Sequence, residues 1–158
     1  MNRAVIRRFA RVLALTFPVA GAALLSTATA GEVLSGPVPA SVVRALDGDT
    51  LEVQAHIWLG LELTQHVRIR GIDAPELHST CAMEREMAAA ARDRLAALAG
   101  SNILLQQIAD DKYGGRVDAD VANASGTDLK AAMIAAGLVR SYDGGMRGDW
   151  CPVGSVAK

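Results

Sequence analysis

Between Thr50 and Ile57 apolar and polar residues alternate, and a second run, Val42 to Leu46, precedes them across Asp47-Gly48-Asp49. Strand-like runs on either side of a DG turn predict a β-hairpin. Leu63 to Ile72 predicts a further strand, with Val67 and Ile69 on one face and Arg68 and Arg70 on the other. Pro75 stops it. From Ala82 to Ala99 the spacing turns helical, with Met83, Met87, Ala90, Ala91, Leu95 and Leu98 on the face expected to be core. Glu84 and Glu86 sit in the first turns, where the helix dipole favours negative charge, and Gly100 stands at the C-cap. Ile103 to Ile108 predicts a strand, as does the stretch in which Val117, Ala119 and Val121 alternate with Asp118 and Asp120. Asp128 is placed to cap a second helix from Leu129 to Ala136, closed by Gly137. No segment repeats. A meander of strands, a helix, two strands and a second helix make an α+β fold on a small barrel.

The first thirty residues follow another rule. Arg3, Arg7, Arg8 and Arg11 come without an acid, an apolar run extends from Val12 to Leu25, and Ala28-Thr29-Ala30 closes the stretch. A basic head, an apolar middle and a small-x-small end read as a secretory signal peptide cleaved after Ala30. The alternative, an uncleaved membrane anchor, is disfavoured because the run is broken by Pro18 and falls short of the roughly 20 residues that span a bilayer. Residues 31–40, with two prolines and two glycines, read as a lead-in, residues 41–151 as one domain, and residues 152–158 as a flexible tail. An exported monomer, periplasmic or secreted and without stable membrane association, is the expectation.

The chain has 158 residues and a formal charge of −1. Loss of the four leader arginines leaves 12 basic against 17 acidic groups, a net charge of −5. Such a balance argues against a general nucleic-acid coating protein, which carries a broad basic surface. It leaves room for an enzyme that grips one phosphate locally. Cys81 and Cys151 are the only cysteines. In an oxidising compartment they most simply pair, and closing that loop stabilises the fold by about 4 kcal/mol in the chain-entropy account.

Three polar clusters stand at strand ends or turns: Asp47-Gly48-Asp49-Thr50, Val67-Arg68-Ile69-Arg70-Gly71-Ile72-Asp73-Ala74-Pro75-Glu76, and Asp111-Lys112-Tyr113-Gly114-Gly115-Arg116. Singly, each has a plain structural reading as a turn, a strand end or a solvated strand. Together and in this order they resemble the thermonuclease family, the secreted staphylococcal-nuclease-like domains, over roughly Val42 to Tyr142. The resemblance implies an OB-fold, a five-stranded barrel with two or more packed helices. It also implies Ca2+-dependent hydrolysis of phosphodiester bonds in DNA and RNA.

The implied roles make chemical sense. A phosphodiester is an anion, so attack on it requires charge neutralisation and removal of a proton from the nucleophile. By resemblance, Asp49, Asp73 and the main-chain carbonyl of Ala74 hold the Ca2+, a hard cation that takes oxygen ligands. Glu76 is the general base or orienter of the attacking water. Arg68 and Arg116 hold the phosphate and stabilise its transition state, leaving 3′-phosphate ends. Arg70 shares the strand face of Arg68, and only the register of the resembled family, counted back from Asp73, selects Arg68. The second glycine before Arg116 lengthens the motif by one residue and lets the backbone turn to aim the arginine. Lys112, Tyr113 and Tyr142 are candidate substrate contacts, and Tyr142 is equally readable as a half-buried packing ring. Asp47 and Thr50 take supporting places. His56, His66 and His78 lack ligand spacing and read as surface or strand residues.

By resemblance, the family's long C-terminal helix is expected to be missing after Cys151, and a Cys81–Cys151 bridge is expected to tie down this end instead. The acidic balance points to a weaker, more salt-sensitive grip on polymer. A rival reading is a non-catalytic periplasmic OB-fold module that binds nucleic acid or another ligand. Such a module needs the barrel but not Asp49, Asp73, Glu76, Arg68 and Arg116 together.

Overall fold

Strand alternation sends one face of each strand inward. In the computed structural model, which describes residues 31–151, Leu51, Val53, Val67, Ile69, Ile103, Leu105, Ala119 and Val121 meet in one core. The expected signal peptide and tail lie outside the described residues. The strands are β1 (Val33–Leu34), β2 (Val38–Ala45), β3 (Thr50–Trp58), β4 (Leu61–Ile69), β5 (Ile72–Asp73), β6 (Asn102–Asp110), β7 (Arg116–Asn123) and β8 (Arg140–Ser141). Helix α1 (Ala82–Ala99) follows β5, and helix α2 (Leu129–Ala135) follows β7.

Strands β2, β3 and β4 pair antiparallel in sequence, β4 pairs parallel with β7, and β7 returns through β6 to β2. The circuit closes, giving a five-stranded mixed barrel with two helices, the α+β OB-fold arrangement that the element order implied. Among the described residues no helix is long and apolar enough to cross a membrane. The Cys81–Cys151 disulfide is present.

Three local expectations need correction. The strand expected from Leu63 to Ile72 is two strands: β4 stops at Ile69, the chain turns at Gly71 with φ +82°, and β5 begins at Ile72. The turn frees β5 to leave the barrel and pair with β8. The lead-in is less plain than its composition suggests, because β1 pairs with β6 and β2 already starts at Val38. Met83 and Ala90 are exposed rather than core, and the fully buried positions of α1 are Ala88, Ala91, Leu95 and Ala99.

That small-residue face has a physical cause. Helix α1 lies so close to the β2–β3 turn that a Cβ at Gly48 would stand 2.6 Å from Ala91 Cβ and 2.8 Å from Ala74 Cβ. Only glycine and alanines fit where the helix, the turn and the segment after β5 converge. Gly48→Ala is therefore expected to destabilise the fold by about 1–3 kcal/mol, as overpacked cores do, measured by urea denaturation. An unchanged midpoint would show that the helix does not bear on the turn.

Candidate active site

The β2–β3 turn is shaped by its own carboxylate. Asp47 Oδ1 accepts the Asp49 N–H at 2.9 Å, and Ile69 N–H donates to the Asp49 carbonyl at 2.8 Å, docking the turn against the end of β4. Asp49 is thereby buried, with 3% exposure, at one end of the barrel. Its Oδ1 accepts from Thr50 Oγ1 at 2.8 Å and from Arg68 Nη1 at 2.8 Å, and its Oδ2 accepts the Ala74 N–H at 3.1 Å. Arg68, itself buried, donates its second Nη to the Ile72 carbonyl at 3.1 Å and reaches within 4.0 Å of Asp73 Oδ1. Thus Asp49, Thr50, Arg68, Asp73 and Ala74, read from two separate clusters, meet in one network.

Register explains which arginine enters it. Arg68 pairs with Thr50 across β3–β4, while Val67 and Ile69 fill the core. Arg70 diverges with the chain after β4. Its guanidinium donates to the Asp118 carbonyl at 3.1 Å and to that of Gln107, in the bulge of β6 where φ is +51°. In the parallel β4–β7 pair, Arg68 stands opposite Asp118 and His66 opposite Arg116, so Arg116 and Arg68 share one side of the sheet.

Arg116 pairs with buried Asp111, the first residue of its own motif. Burial pulls the Asp111 carboxyl upward, but the hydrogen bond and charge of Arg116 outweigh it and hold the group below its usual range. Tyr113 is exposed between the Lys112 ammonium at 5.0 Å and the Arg116 guanidinium at 5.3 Å. Strand β8 lays Tyr142 beside this group, its N–H on the Gly71 carbonyl and its hydroxyl donating to Gly145 O at 2.7 Å. A cleft of about 500 Å³ is lined by Arg68, Arg70, Lys112, Tyr113, Arg116, Tyr142 and Arg147, with Asp111 and Asp118 among the acids facing it. Burial, then the neighbouring Asp111, pushes the Asp118 carboxyl upward.

A second cleft, of about 150 Å³, is lined by Asp73, Ala74, Glu76, Glu84, Arg147 and Trp150. Glu84, in the first turn of α1, accepts the Glu76 N–H at 3.0 Å and the Ser79 hydroxyl at 2.6 Å, fixing the loop that carries Glu76. Glu76 itself is exposed. The sequence reading placed Asp111 in the third cluster and Glu84 in the first turn of the helix without a role at the site, and it assigned nothing to Arg147 or Trp150. Arg147 pairs with Glu76 and lies with Nε 3.0 Å from Asp73 Oδ1, while Trp150 Nε1 donates to Asp73 Oδ2 at 3.3 Å. Burial works against the Arg147 charge, but Asp73 and Glu76 overcome it and raise its pKa.

The donors present fit an oxygen-ligated cation. Asp73 Oδ1 is buried and accepts no hydrogen bond among the described residues, since the nearby Arg147 Nε–H is not aligned for one. Asp49 is pushed up to about 7, first by burial and then by Asp47, against the pull of Arg68, Thr50 and the Ala74 N–H. Both observations describe carboxylates short of positive charge. Among the described residues no three acidic, histidine or cysteine side chains converge as a complete metal cage, so such an ion would also need backbone oxygen and water, as hard cations accept.

The Asp49 shift carries a stability consequence. Between its unfolded pKa of 3.8 and its folded value of about 7, the native state holds a proton that the unfolded chain has released. With divalent cations chelated, the contribution of Asp49 to stability is therefore full below pH 4 and falls as pH rises towards 7, in the same direction as that of Asp118. Asp111, shifted the other way, acts only below pH 4. Urea midpoints against pH check this: Asp49→Asn is expected to flatten the decline, and an equal decline in the variant would contradict it.

Comparison with known proteins agrees with the geometry. The family described as staphylococcal nuclease homologue matches residues 66–148, just over half of the chain, a span that carries Arg68, Asp73, Glu76 and Arg116. The turn with Asp49 precedes that span and joins it through the Arg68 pair. No curated protein matches the chain. On the family match, set on a closed barrel with the three polar clusters at hand, the chain belongs to the staphylococcal nuclease homologue family.

Proposed function

We propose that the protein is a Ca2+-dependent nuclease that hydrolyses phosphodiester bonds in DNA and RNA and leaves 3′-phosphate ends. The observation that carries this reading is the buried Asp49–Arg68 pair set against Asp73, beside a cleft that gathers Arg116, Lys112 and Tyr113 on an otherwise acidic chain. Asp49, Asp73 and the Ala74 carbonyl would hold the Ca2+, which, when bound, supplies Lewis-acid neutralisation of the phosphate.

The remaining work falls to side chains. Glu76, exposed at the mouth of the smaller cleft and anchored through its backbone by Glu84, takes the proton of the attacking water. Arg68 and Arg116 donate to the non-bridging phosphate oxygens, and their planar forks suit the charge that grows there. Asp49 and Asp111 hold these two guanidiniums before substrate arrives, so little reorganisation is needed. Tyr113, Lys112 and Tyr142 line the path of the nucleotide. We also place the mature protein outside the cytoplasm, as a monomer cleaved after Ala30, and the Cys81–Cys151 disulfide supports an oxidising compartment.

Single-stranded DNA incubated with the purified protein tests the reading. Cleavage in Ca2+ that stops in chelator is expected, with Glu76→Gln slower by about 10²- to 10⁴-fold and Arg116→Gln by about 10²- to 10³-fold. Folded protein that binds the DNA without cutting it would instead favour a non-catalytic OB-fold binding module.

A further inference from the structure

Arg147 lies outside the three polar clusters, yet it occupies their junction. Among the described residues it alone lines both clefts, the larger with Arg68 and Arg116 and the smaller with Asp73 and Glu76. Its backbone is held on either side. Before it, the Tyr142 hydroxyl donates to Gly145 O; after it, Trp150 stacks against Arg140 at 3.7 Å and bonds Asp73, and Cys151 closes the disulfide. The side chain is long and 41% exposed, and its charged end engages Asp73 and Glu76. A guanidinium so placed can change partners while its loop stays fixed.

Asp73 Oδ1 decides the matter. Among the described residues it is the buried oxygen with no hydrogen bond, and the Arg147 guanidinium is the nearest cation to it. A divalent ion held by Asp73 needs that same electron density, and two cations cannot share it without strong repulsion. We propose that Arg147 is a third substrate-facing arginine that the site keeps on its acidic pair: a cation arriving at Asp73 displaces it, and the released guanidinium takes a phosphate oxygen of the nucleic acid in the larger cleft. The inference rests on the nuclease reading above. It makes Arg147 a competitor of the metal when substrate is absent and a phosphate ligand when metal is present.

The two halves are separable in Arg147→Gln, whose exposed side chain leaves the disulfide and the Trp150 contacts in place. Calorimetric titration with Ca2+ alone is expected to give affinity about fivefold tighter than wild type, the scale of a partly exposed ion pair removed. Steady-state cleavage of an oligonucleotide at saturating Ca2+ is expected to show KM raised about tenfold, with kcat changed much less. Arg147→Lys, which keeps the charge and loses the fork, is expected to restore wild-type Ca2+ affinity. Equal or weaker Ca2+ binding in Arg147→Gln overturns the competition, and an unchanged KM overturns the phosphate contact. A wild type that neither binds Ca2+ nor cleaves removes the nuclease reading itself, whereas one that does both beside an unaltered Arg147→Gln removes this inference alone.

Discussion

A buried guanidinium is tolerated only where its charge and its N–H groups are answered, and Arg68 is the residue on which this constraint bears. Its partners come from two places in the chain: Asp49 from the β2–β3 turn, and β5, which supplies the Ile72 carbonyl and, at the margin, Asp73. Removing any one leaves charge uncompensated at the end of the barrel. Asp49 in turn anchors the Ala74 N–H, so one pair couples the hairpin turn to the segment that leads to Glu76. Beside that network, Ala91 of α1 and Ala74 both close on Gly48. Burial makes the pair expensive and also fixes its geometry, which is what a preorganised site requires.

The rest of the structure builds outward from it. Strands β5 and β8 pair beyond the barrel and bring Tyr142 and the loop after it across the site. The disulfide holds that loop to the start of α1, where Glu84 positions the Glu76 segment. A strongly basic surface is unnecessary under this plan. Lys112 and four arginines line one cleft of a chain whose net charge is −1, so attraction for phosphate is local.

Much of this was legible in the sequence because it rests on short-range rules. Alternation marked the first hairpin, Asp128 was readable as a cap and its side chain accepts the Ala131 N–H at 3.2 Å, and the register of the resembled family, counted back from Asp73, singled out Arg68. The two cysteines, alone in the chain, could be matched. What escaped depends on packing or on distant partners. Helix α1 buries the face of Ala88, Ala91, Leu95 and Ala99, which includes the contact with the turn at Gly48, and Met83 lies off that face, a choice its own periodicity does not encode. The break of the third strand follows from β5 finding β8 far along the chain. Arg147 and Trp150 meet Glu76 and Asp73 across separations of 71 and 77 residues, with no motif to announce them.

The central claim is that Asp49 and Asp73 form one cation site beside Arg68, and Trp150 offers a direct probe of it. With Trp58 replaced by Phe, Trp150 is the only tryptophan, and its ring nitrogen lies 3.3 Å from Asp73 Oδ2. Terbium bound at the site should then emit on tryptophan excitation, lose that emission as Ca2+ is added, and fail to bind in Asp49→Asn. Sensitised emission that survives both Ca2+ and the substitution, or no emission from a folded protein, would contradict the account.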